Sequence, residues 1–344
     1  MATILVLNPG DGTGLNFTRS LACAGRWKTV GLSSTEDDFH GSETDVRIFT
    51  PWNRPDELLA TVNEVVADHR VDLVYAADTG PELLTLSDLR QRVSAPMFLP
   101  DVEDHQRMED KWATLLSLRD AGVDVPDTVE VRGPADLAVL FARHRRLWLR
   151  RRRGSAGAGS VATESPDFAR AWIEEQDGWG EYTAAECLTG RTATFSGLWH
   201  DGELVASQLR ERLGWKHSYL SASGVTGITG AQRTFWDEEL HSRAVACIQA
   251  AAHRPHGAIG VDFTWHSDGR PLPTEVQPAR FYSSIYFLTS CGLNLPDLFC
   301  TIALSGRPAA GPTRINPIRD ARYWVKGVDK LPQLLTEAEY YARG

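Results

Sequence analysis

Apolar and polar positions divide the first hundred residues into short strands and amphipathic helices. Residues 4–7, 46–49 and 71–75 are mostly apolar segments of strand length, and the first leads into a predicted helix over 15–24. Between the second and third runs, residues 57–69 carry apolar side chains at helical spacing. These are Leu58, Leu59, Val62, Val65 and Val66. Strands that alternate with helices predict an α/β layer built on a parallel sheet.

From residue 109 onward the pattern changes to helices mixed with paired strands, which predicts an α+β arrangement. Helices are predicted over 111–121, 134–142 and 237–251, and strands over 128–131, 147–150, 182–188, 192–199 and 203–212. Residues 323–325 are a candidate strand that returns to the core. The change of pattern predicts a domain boundary near residue 108.

A hairpin near the end of the chain carries the most specific chemistry. Two alternating runs flank the Asp-Gly pair at 268–269, which favours a tight turn. Asp262 and Glu275 lie near mirror positions on the two arms, so their carboxylates are predicted to share one face with the Gln277 amide. Oxygen ligands of this kind suit a Mg²⁺ ion that carries nucleotide phosphates. The alternative is an edge hairpin with solvated acids.

A glycine-rich stretch follows a predicted strand in the middle of the chain. Arg150 ends that strand, and residues 154–160 contain three glycines and two serines. Small residues let backbone N–H groups wrap a polyphosphate, and the preceding arginines supply positive charge. The alternative is a flexible surface loop behind a basic patch. Another glycine turn, at 10–14, lacks the full dinucleotide pattern, and we favour a tight turn without a cofactor there.

Composition narrows the classes of partner. The 344-residue chain has a formal net charge of −9, which argues against nucleic acid because phosphate backbones select basic surfaces. No apolar run approaches the ~20 residues of a membrane span, and the opening residues lack the basic segment of a secretory signal. The five cysteines are scattered rather than in metal-type pairs, which favours reduced thiols and a cytoplasmic location.

Taken in order, the motifs of this chain resemble the ATP-grasp superfamily, particularly members related to the carbamoyl-phosphate-synthetase ATP-binding domain. The motifs are Asp110-Lys111, residues 121–126, Arg150, the glycine-rich loop 154–160, residues 186–190 and residues 275–281. The resemblance implies a Rossmann-like pre-ATP-grasp domain over 1–108. It also implies an N-terminal ATP-grasp subdomain over 109–185 and a C-terminal subdomain with the metal and substrate site over 186–344.

The resemblance also implies ATP and Mg²⁺ as cofactors and assigns residues to the nucleotide. Lys111 and Arg150 would contact its phosphates, and the loop would close over them. The loop residues concerned are Gly154, Ser155, Gly157, Gly159 and Ser160. Glu186 would accept a hydrogen bond from the adenine amino group, while Cys187 and Leu188 would give backbone contacts. Arg191 stands beyond this hinge, where many members carry an acid for the ribose.

For the reacting centre, the resemblance assigns the metal to Asp262, Glu275 and Gln277, the last of which replaces the usual asparagine. Arg280, together with Arg150, would stabilise the transferred phosphoryl group. The reaction implied joins a small-molecule carboxylate to an amine through an acyl phosphate and releases ADP and phosphate.

Arg210 and Arg212 alternate on one strand beside the predicted cleft, so they join Arg280 as candidates to hold a substrate carboxylate.

Three alternatives to the ligase remain open. They are an enzyme that forms carbamoyl or carboxy phosphate, a non-catalytic nucleotide-binding protein and, least favoured, a nicotinamide-dependent oxidoreductase. The sequence leaves open the identity of both substrates and the oligomeric state, a homodimer included.

Overall fold

The structure is a computed structural model. It describes residues 1–77, 81–154, 157–216, 218, 222, 228–306, 314–327 and 333–341. Of the site residues predicted from the sequence, Ser155 lies outside the described residues. Within the described part, no helix combines the length and the apolar character needed to cross a membrane.

The N-terminal part is an α/β layer around a parallel sheet of strand order β3-β2-β1-β4. Its elements are β1 (Ala2–Leu7), α1 (Gly12–Ala24), β2 (Trp27–Ser33), α2 (Glu36–Gly41), β3 (Val46–Phe49), α3 (Pro55–His69), β4 (Leu73–Ala76), α4 (Pro81–Asp88), a 3₁₀ turn (Arg90–Arg92) and α5 (Val102–Glu109). The glycine turn before α1 is closed by Asp11, whose carboxylate accepts from the N–H groups of Thr13 and Gly14. That carboxylate occupies helix N–H groups that a phosphate would otherwise use.

The middle part is a small antiparallel sheet of order β5-β8-β6-β7. Its elements are α6 (Lys111–Asp120), β5 (Thr128–Val131), α7 (Pro134–Phe141), β6 (Leu147–Arg151), β7 (Val161–Thr163), α8 (Pro166–Glu175) and β8 (Tyr182–Glu186). Helices α7 and α8 share one apolar core with the strands, which includes Leu140, Leu149, Ile173 and Tyr182. The glycine-rich loop connects β6 to β7 at the edge of this sheet.

The C-terminal part is built on a larger sheet of order β13-β12-β9-β10-β11-β15-β16, with β14 paired to β10. Its elements are β9 (Thr192–His200), β10 (Glu203–Lys216), β11 (Ile228–Phe235), α9 (Glu238–Ala251), β12 (Gly257–Trp265), β13 (Pro271–Gln277), α10 (Ile285–Ser290), α11 (Leu295–Ser305), β14 (Arg314–Ile315), β15 (Arg322–Val325), β16 (Gln333–Thr336) and α12 (Glu337–Tyr341). Phe195, Ile248 and Val261 belong to a core between this sheet and α9.

The N-terminal layer packs directly on the helices that follow the C-terminal hairpin. Ile4 and Phe17 lie in the same apolar core as Phe287, Leu288 and Phe299. Helix α1 accordingly contacts both α10 and α11. Phe281, which follows β13, belongs to the same core, so this packing anchors the chain just after the hairpin.

Several elements agree with the sequence-based predictions, and others escaped them. The hairpin β12–β13 forms across the Asp-Gly turn, and the candidate strand at 323–325 forms as β15, which pairs with β11. Strands β2 and β11 were not predicted. Gly31 interrupts the apolar pattern of β2, and a Cβ there would lie 2.5 Å from the Thr44 hydroxyl. Glycine is therefore required at position 31 by close packing against a distant segment rather than by local strand propensity.

Candidate active site

One face of the large sheet is polar where three neighbouring strands meet. Thr194, Arg210 and Asp262 are in register on β9, β10 and β12. The residues that precede them, Ala193, Leu209 and Val261, belong to the apolar core on the other face. Side chains two residues apart share a face. The shared polar set is Thr192, Thr194, Ser196, Gln208, Arg210, Arg212, Asp262 and Thr264. Polar side chains in the middle of a sheet are costly to bury without partners, so this face indicates a binding surface.

The two predicted metal carboxylates face each other on this surface. Asp262 and Glu275 are directly paired residues of β12 and β13, and a bulge follows Asp262. The Thr194 hydroxyl donates to Asp262 Oδ1 at 2.5 Å, and Lys111 Nζ lies 3.5 Å from Glu275 Oε1. Directly opposed side chains have Cβ atoms ~5 Å apart on the same side. The structure therefore brings both carboxylates to one place.

Three cationic side chains act on Glu275. Burial by itself raises the pKa of the Glu275 carboxyl, but the charges of Lys111, Arg150 and Arg280 outweigh burial, and the pKa falls below its usual range. Glu275 is therefore ionised at neutral pH. Arg150 is fixed beside it, because its Nη2 donates to the Thr274 carbonyl oxygen at 2.6 Å.

The cap of helix α6 positions Lys111. Asp110 accepts from the backbone N–H groups of Trp112 and Ala113, and it also pairs with Arg152 at 2.6 Å. Lys111 is the first residue of the helix, and its Nζ donates to the Gly154 carbonyl oxygen at 2.6 Å. The same ammonium group therefore links the glycine-rich loop to Glu275.

Gln277 is placed differently from the other predicted metal ligands. Its amide faces the Arg280 guanidinium, and both groups are satisfied when the amide oxygen accepts from Arg280, 3.1 Å from Nη2. The oxygen that was predicted to bind the metal thus contacts a cation. A metal role for Gln277 requires its amide to leave Arg280, whereas the contact as it stands orients the guanidinium.

Glu109 is a further acidic residue of this region that sequence reasoning missed. Burial raises the pKa of its carboxyl, and Glu275 adds to that effect, while Arg280 and Lys111 only partly oppose it. Its one signal in the sequence is that it precedes Asp110-Lys111. Glu109 ends helix α5, so its approach to Arg280 is decided by how that helix packs on β13.

The described part of the glycine-rich loop is held by side chains at both ends. Gly157 and Gly159 have φ of 72° and 69°, in the left-handed region that favours glycine. Trp172 Nε1 and the Tyr182 hydroxyl both donate to the Gly159 carbonyl oxygen, at 3.1 and 3.0 Å. Lys111 holds the other end through Gly154. Neighbouring elements thus shape the loop as much as its own composition does.

Gly159→Ala is expected to lower the free energy of unfolding by about 1–2 kcal/mol, the cost of a side chain in left-handed backbone. The added Cβ would also lie 2.7 Å from the Tyr182 hydroxyl. Urea unfolding measures the change. Gly12→Ala is the control, because Gly12 is helical and its Cβ would make an ordinary contact of 3.5 Å. Equal losses in the two variants would show that the loop conformation imposes no glycine requirement.

A cavity of ≈ 480 Å³ lies between the small sheet and the polar face. Predicted site residues that line it are Lys111, Arg150, Gly154, Gly157, Ser160, Glu186, Leu188, Arg212, Asp262 and Glu275. Its apolar walls include Leu115, Val125, Trp148 and Phe263. Five predicted residues in the described part of the chain are not among the lining residues. They are Gly159, Cys187, Arg210, Gln277 and Arg280.

Glu186 lies at the cavity wall with protein partners on both carboxylate oxygens. The Asp127 N–H donates to Oε1 at 2.9 Å, and His266 Nε2 lies 3.2 Å from Oε2. An adenine amino group at this carboxylate would have to share it with these partners. Cys187 is partly buried, and burial raises the pKa of its thiol, so packing describes this residue better than reactivity.

The architecture has clear counterparts among solved structures. An L-amino acid ligase from Bacillus licheniformis superposes with a TM-score of 0.69 at 15% identity, covering 94% of this chain and 79% of the other. A biotin carboxylase from Campylobacter jejuni gives 0.71 at 14% identity, covering 94% and 75%. An N5-carboxyaminoimidazole synthetase from Staphylococcus aureus, complexed with ADP, gives 0.68 at 15%, covering 94% and 82%.

This chain has the ATP-grasp fold. The predicted ATP-grasp fold is therefore confirmed. No protein-family model matches the sequence, and no curated protein matches it. Identities of 12–16% establish the ATP-grasp fold alone, so the roles of individual residues remain predictions.

Proposed function

We propose that this ATP-grasp protein is an ATP-dependent ligase that joins a small-molecule carboxylate to an amine and releases ADP and phosphate. The observation that carries the proposal is the Asp262–Glu275 pair, which faces a cavity together with Lys111 and Arg150. A mere apolar ligand would need none of these four charges. Their cost of burial is offset most directly by a metal ion and an anionic ligand.

The carboxylate pair fits Mg²⁺. Mg²⁺ in nucleotide enzymes is commonly held by one or two carboxylates together with phosphate oxygens and water. Asp262 and Glu275 supply those two carboxylates. In the described residues no cluster of three or more histidine, cysteine, aspartate or glutamate side chains could hold a metal by itself. The donor set therefore suits an ion that arrives with phosphates. Bound there, Mg²⁺ would neutralise phosphate charge and orient the phosphoryl group.

The cavity fits a nucleotide. Its volume of ≈ 480 Å³ lies in the range typical of small-molecule sites. Leu115, Val125, Trp148 and Phe263 provide apolar walls for a base, while Lys111 and Arg150 lie toward the carboxylate pair. The left-handed glycines of the loop leave backbone N–H groups accessible to phosphates. This distribution of apolar and cationic residues supports ATP binding with the adenine base between the apolar walls.

The chain's own cations would supply the electrostatic part of the reaction. A carboxylate can attack a phosphoryl group only when the negative charges of both are shielded. Arg150 and Arg280 both act electrostatically on Glu275, and Gln277 orients the Arg280 guanidinium. In this proposal Arg150 and Lys111 hold the phosphates, and Arg280 stabilises charge that develops during transfer.

Nucleotide binding is tested first by thermal unfolding. Saturation at about 100 times the dissociation constant should stabilise the chain by about 2.7 kcal/mol with Mg-ATP, whereas NADPH should leave it unchanged. ADP release is then measured with amino acids and small carboxylic acids, alone and in pairs, with bicarbonate as a separate arm.

Three outcomes would contradict the ligase. Stabilisation by Mg-ATP without substrate-dependent ADP release would indicate a nucleotide-binding protein that does not catalyse. ADP release with bicarbonate alone would indicate a carboxy-phosphate-forming enzyme. No stabilisation by Mg-ATP would remove the nucleotide site itself.

A further inference from the structure

Arg210 is a buried cation whose direct contacts are neutral groups, although the charges of Arg212 and Asp262 also act on it. Its side chain sits on the polar face with only 3% of its surface exposed. Nη1 donates to Gln232 Oε1 at 2.6 Å, and the guanidinium lies 5.3 Å from the centre of the Tyr282 ring. No described carboxylate forms an ion pair with it, whereas Arg233 on the neighbouring strand pairs with Glu211 at 2.8 Å. A buried guanidinium without a counter-ion calls for an anionic ligand.

Two hydrogen-bond donors beside Arg210 have no acceptor among the described residues. Gln232 is fully buried, and its Oε1 accepts from both Arg210 and the Ser284 hydroxyl. Its Nε2 is consequently left without a hydrogen-bond partner, and so is the buried Tyr282 hydroxyl. Gly260 makes room for this tyrosine, since a Cβ there would lie 2.6 Å from the hydroxyl oxygen. Donors without acceptors surround Arg210, which again points to an oxygen-rich anion.

The register of the sheet places this group relative to the metal carboxylates. Glu275, Asp262, Thr194 and Arg210 are successive partners across β13, β12, β9 and β10. Neighbouring strands are ~4.8 Å apart, so the Arg210 backbone lies ~10 Å from Asp262 and ~14 Å from Glu275. A group held at Arg210 therefore lies beside the phosphoryl-transfer centre without being part of it.

We propose that Arg210, Gln232 and Tyr282 bind the carboxylate of the amine substrate, which makes that substrate an amino acid; this rests on the proposed ligase function. Arg212 and Asp262 form an ion pair with each other at 3.9 Å, so their charges offset. The remaining charge of Arg210 balances a monoanion, whereas a phosphate dianion would keep an uncompensated charge. The planar fork of arginine also matches a carboxylate. The carboxylate to be activated must instead reach the centre at Glu275 and Arg280. The carboxylate at Arg210 passes through the reaction unchanged, and the product is an N-acyl amino acid.

Gln232→Glu is the sharpest test, because it places a carboxylate against Arg210 while keeping side-chain length. The internal ion pair should displace the substrate carboxylate and raise KM for the amino acid at least about 30-fold, with ATP affinity unchanged. That factor corresponds to ~2 kcal/mol, the lower end for truncating a buried charge pair. If Gln232 has only a structural role, the new ion pair with Arg210 should leave KM for the amino acid unchanged and leave the stability of the fold unchanged or raised. Arg210→Met serves as a second variant.

The assay uses each of the twenty proteinogenic L-amino acids and its carboxamide as amine, with ADP release and product mass as readouts. Arg233→Gln is the matched control, on the same strand pair but directed to the opposite face at Glu211. The expected result is turnover with at least one amino acid and loss of at least about 30-fold in kcat/KM with its carboxamide. The Arg233→Gln variant should keep the unaltered KM for that amino acid.

The contrary results separate this inference from the ligase itself. Equal turnover of an amino acid and its carboxamide, or an unchanged KM in Gln232→Glu, would overturn the Arg210 site and leave the ligase standing. A raised KM for the activated acid rather than the amine would assign the pocket to the other substrate and overturn the proposal. Turnover only with amines that have no carboxylate would also overturn it. Absence of any Mg-ATP stabilisation would instead overturn the ligase.

Discussion

Replacing Glu275 by glutamine is expected to reduce ATP turnover at least about a hundredfold, since loss of outer-shell metal contacts alone costs 10–100-fold. Glutamine keeps the shape of the side chain but removes the charge that faces Lys111, Arg150 and Arg280. The change takes away a proposed metal carboxylate and no core volume, so the fold should persist. ADP release is measured as a function of Mg²⁺ concentration, with circular dichroism as the check on folding.

Asp268→Asn is the matched control for that variant. Asp268 lies at the turn of the same hairpin, where it pairs with Arg270 and its side chain is 41% exposed. Its loss should leave turnover within about twofold, because exposed ion pairs contribute little. ADP production by Glu275→Gln at the unaltered rate would remove the metal assignment from the hairpin.

Arg280→Ala is expected to bind Mg-ATP nearly as well as the unaltered protein and to lose about 10²–10³-fold in kcat. Arg280 does not line the cavity proposed to hold the nucleotide, yet its charge acts on both Glu275 and Glu109. An interaction that strengthens only as charge develops lowers kcat without weakening ground-state binding. Calorimetric titration with Mg-ATP and steady-state ADP release measure the two quantities separately.

Arg270→Ala and Arg280→Lys are the comparison variants for Arg280→Ala. Arg270→Ala removes a guanidinium from the hairpin turn, where the side chain is 52% exposed, and should change neither quantity. Arg280→Lys should recover little, because lysine cannot make the forked contact with the Gln277 oxygen. A collapse of ATP affinity in Arg280→Ala would make this residue a ground-state phosphate ligand.

The parts of the candidate site that sequence predicted best are those built from neighbouring residues. Asp262 and Glu275 are joined by one tight turn, so alternation along two short runs was enough to place them opposite each other. Lys111 follows the Asp110 cap directly, and a helix start is a local event. The order of motifs then supported the ATP-grasp fold that the structure confirms.

Other parts of the site depend on segments far apart in the chain, and no local sequence pattern predicted them. The Arg210 pocket joins Gln232 from β11 to Tyr282, which follows β13. Glu109 reaches Arg280 only because α5 packs against β13. Gln277 looked like a metal ligand in sequence, and its contact with Arg280 became visible only once the turn at Ala279 was built, with φ of 66°.

By itself the sequence determined the α/β layer and the hairpin with its two carboxylates, because each depends on periodicity or on residues within one turn. The tertiary structure decided which charges are buried together. Burial removes water from charged groups, so residues distant in sequence, Lys111 and Arg150, govern the ionisation of Glu275. Sheet order likewise buries Arg210 away from any ion pair in the described part of the chain. Such neighbours are chosen by sheet order and helix packing, which short-range patterns do not contain.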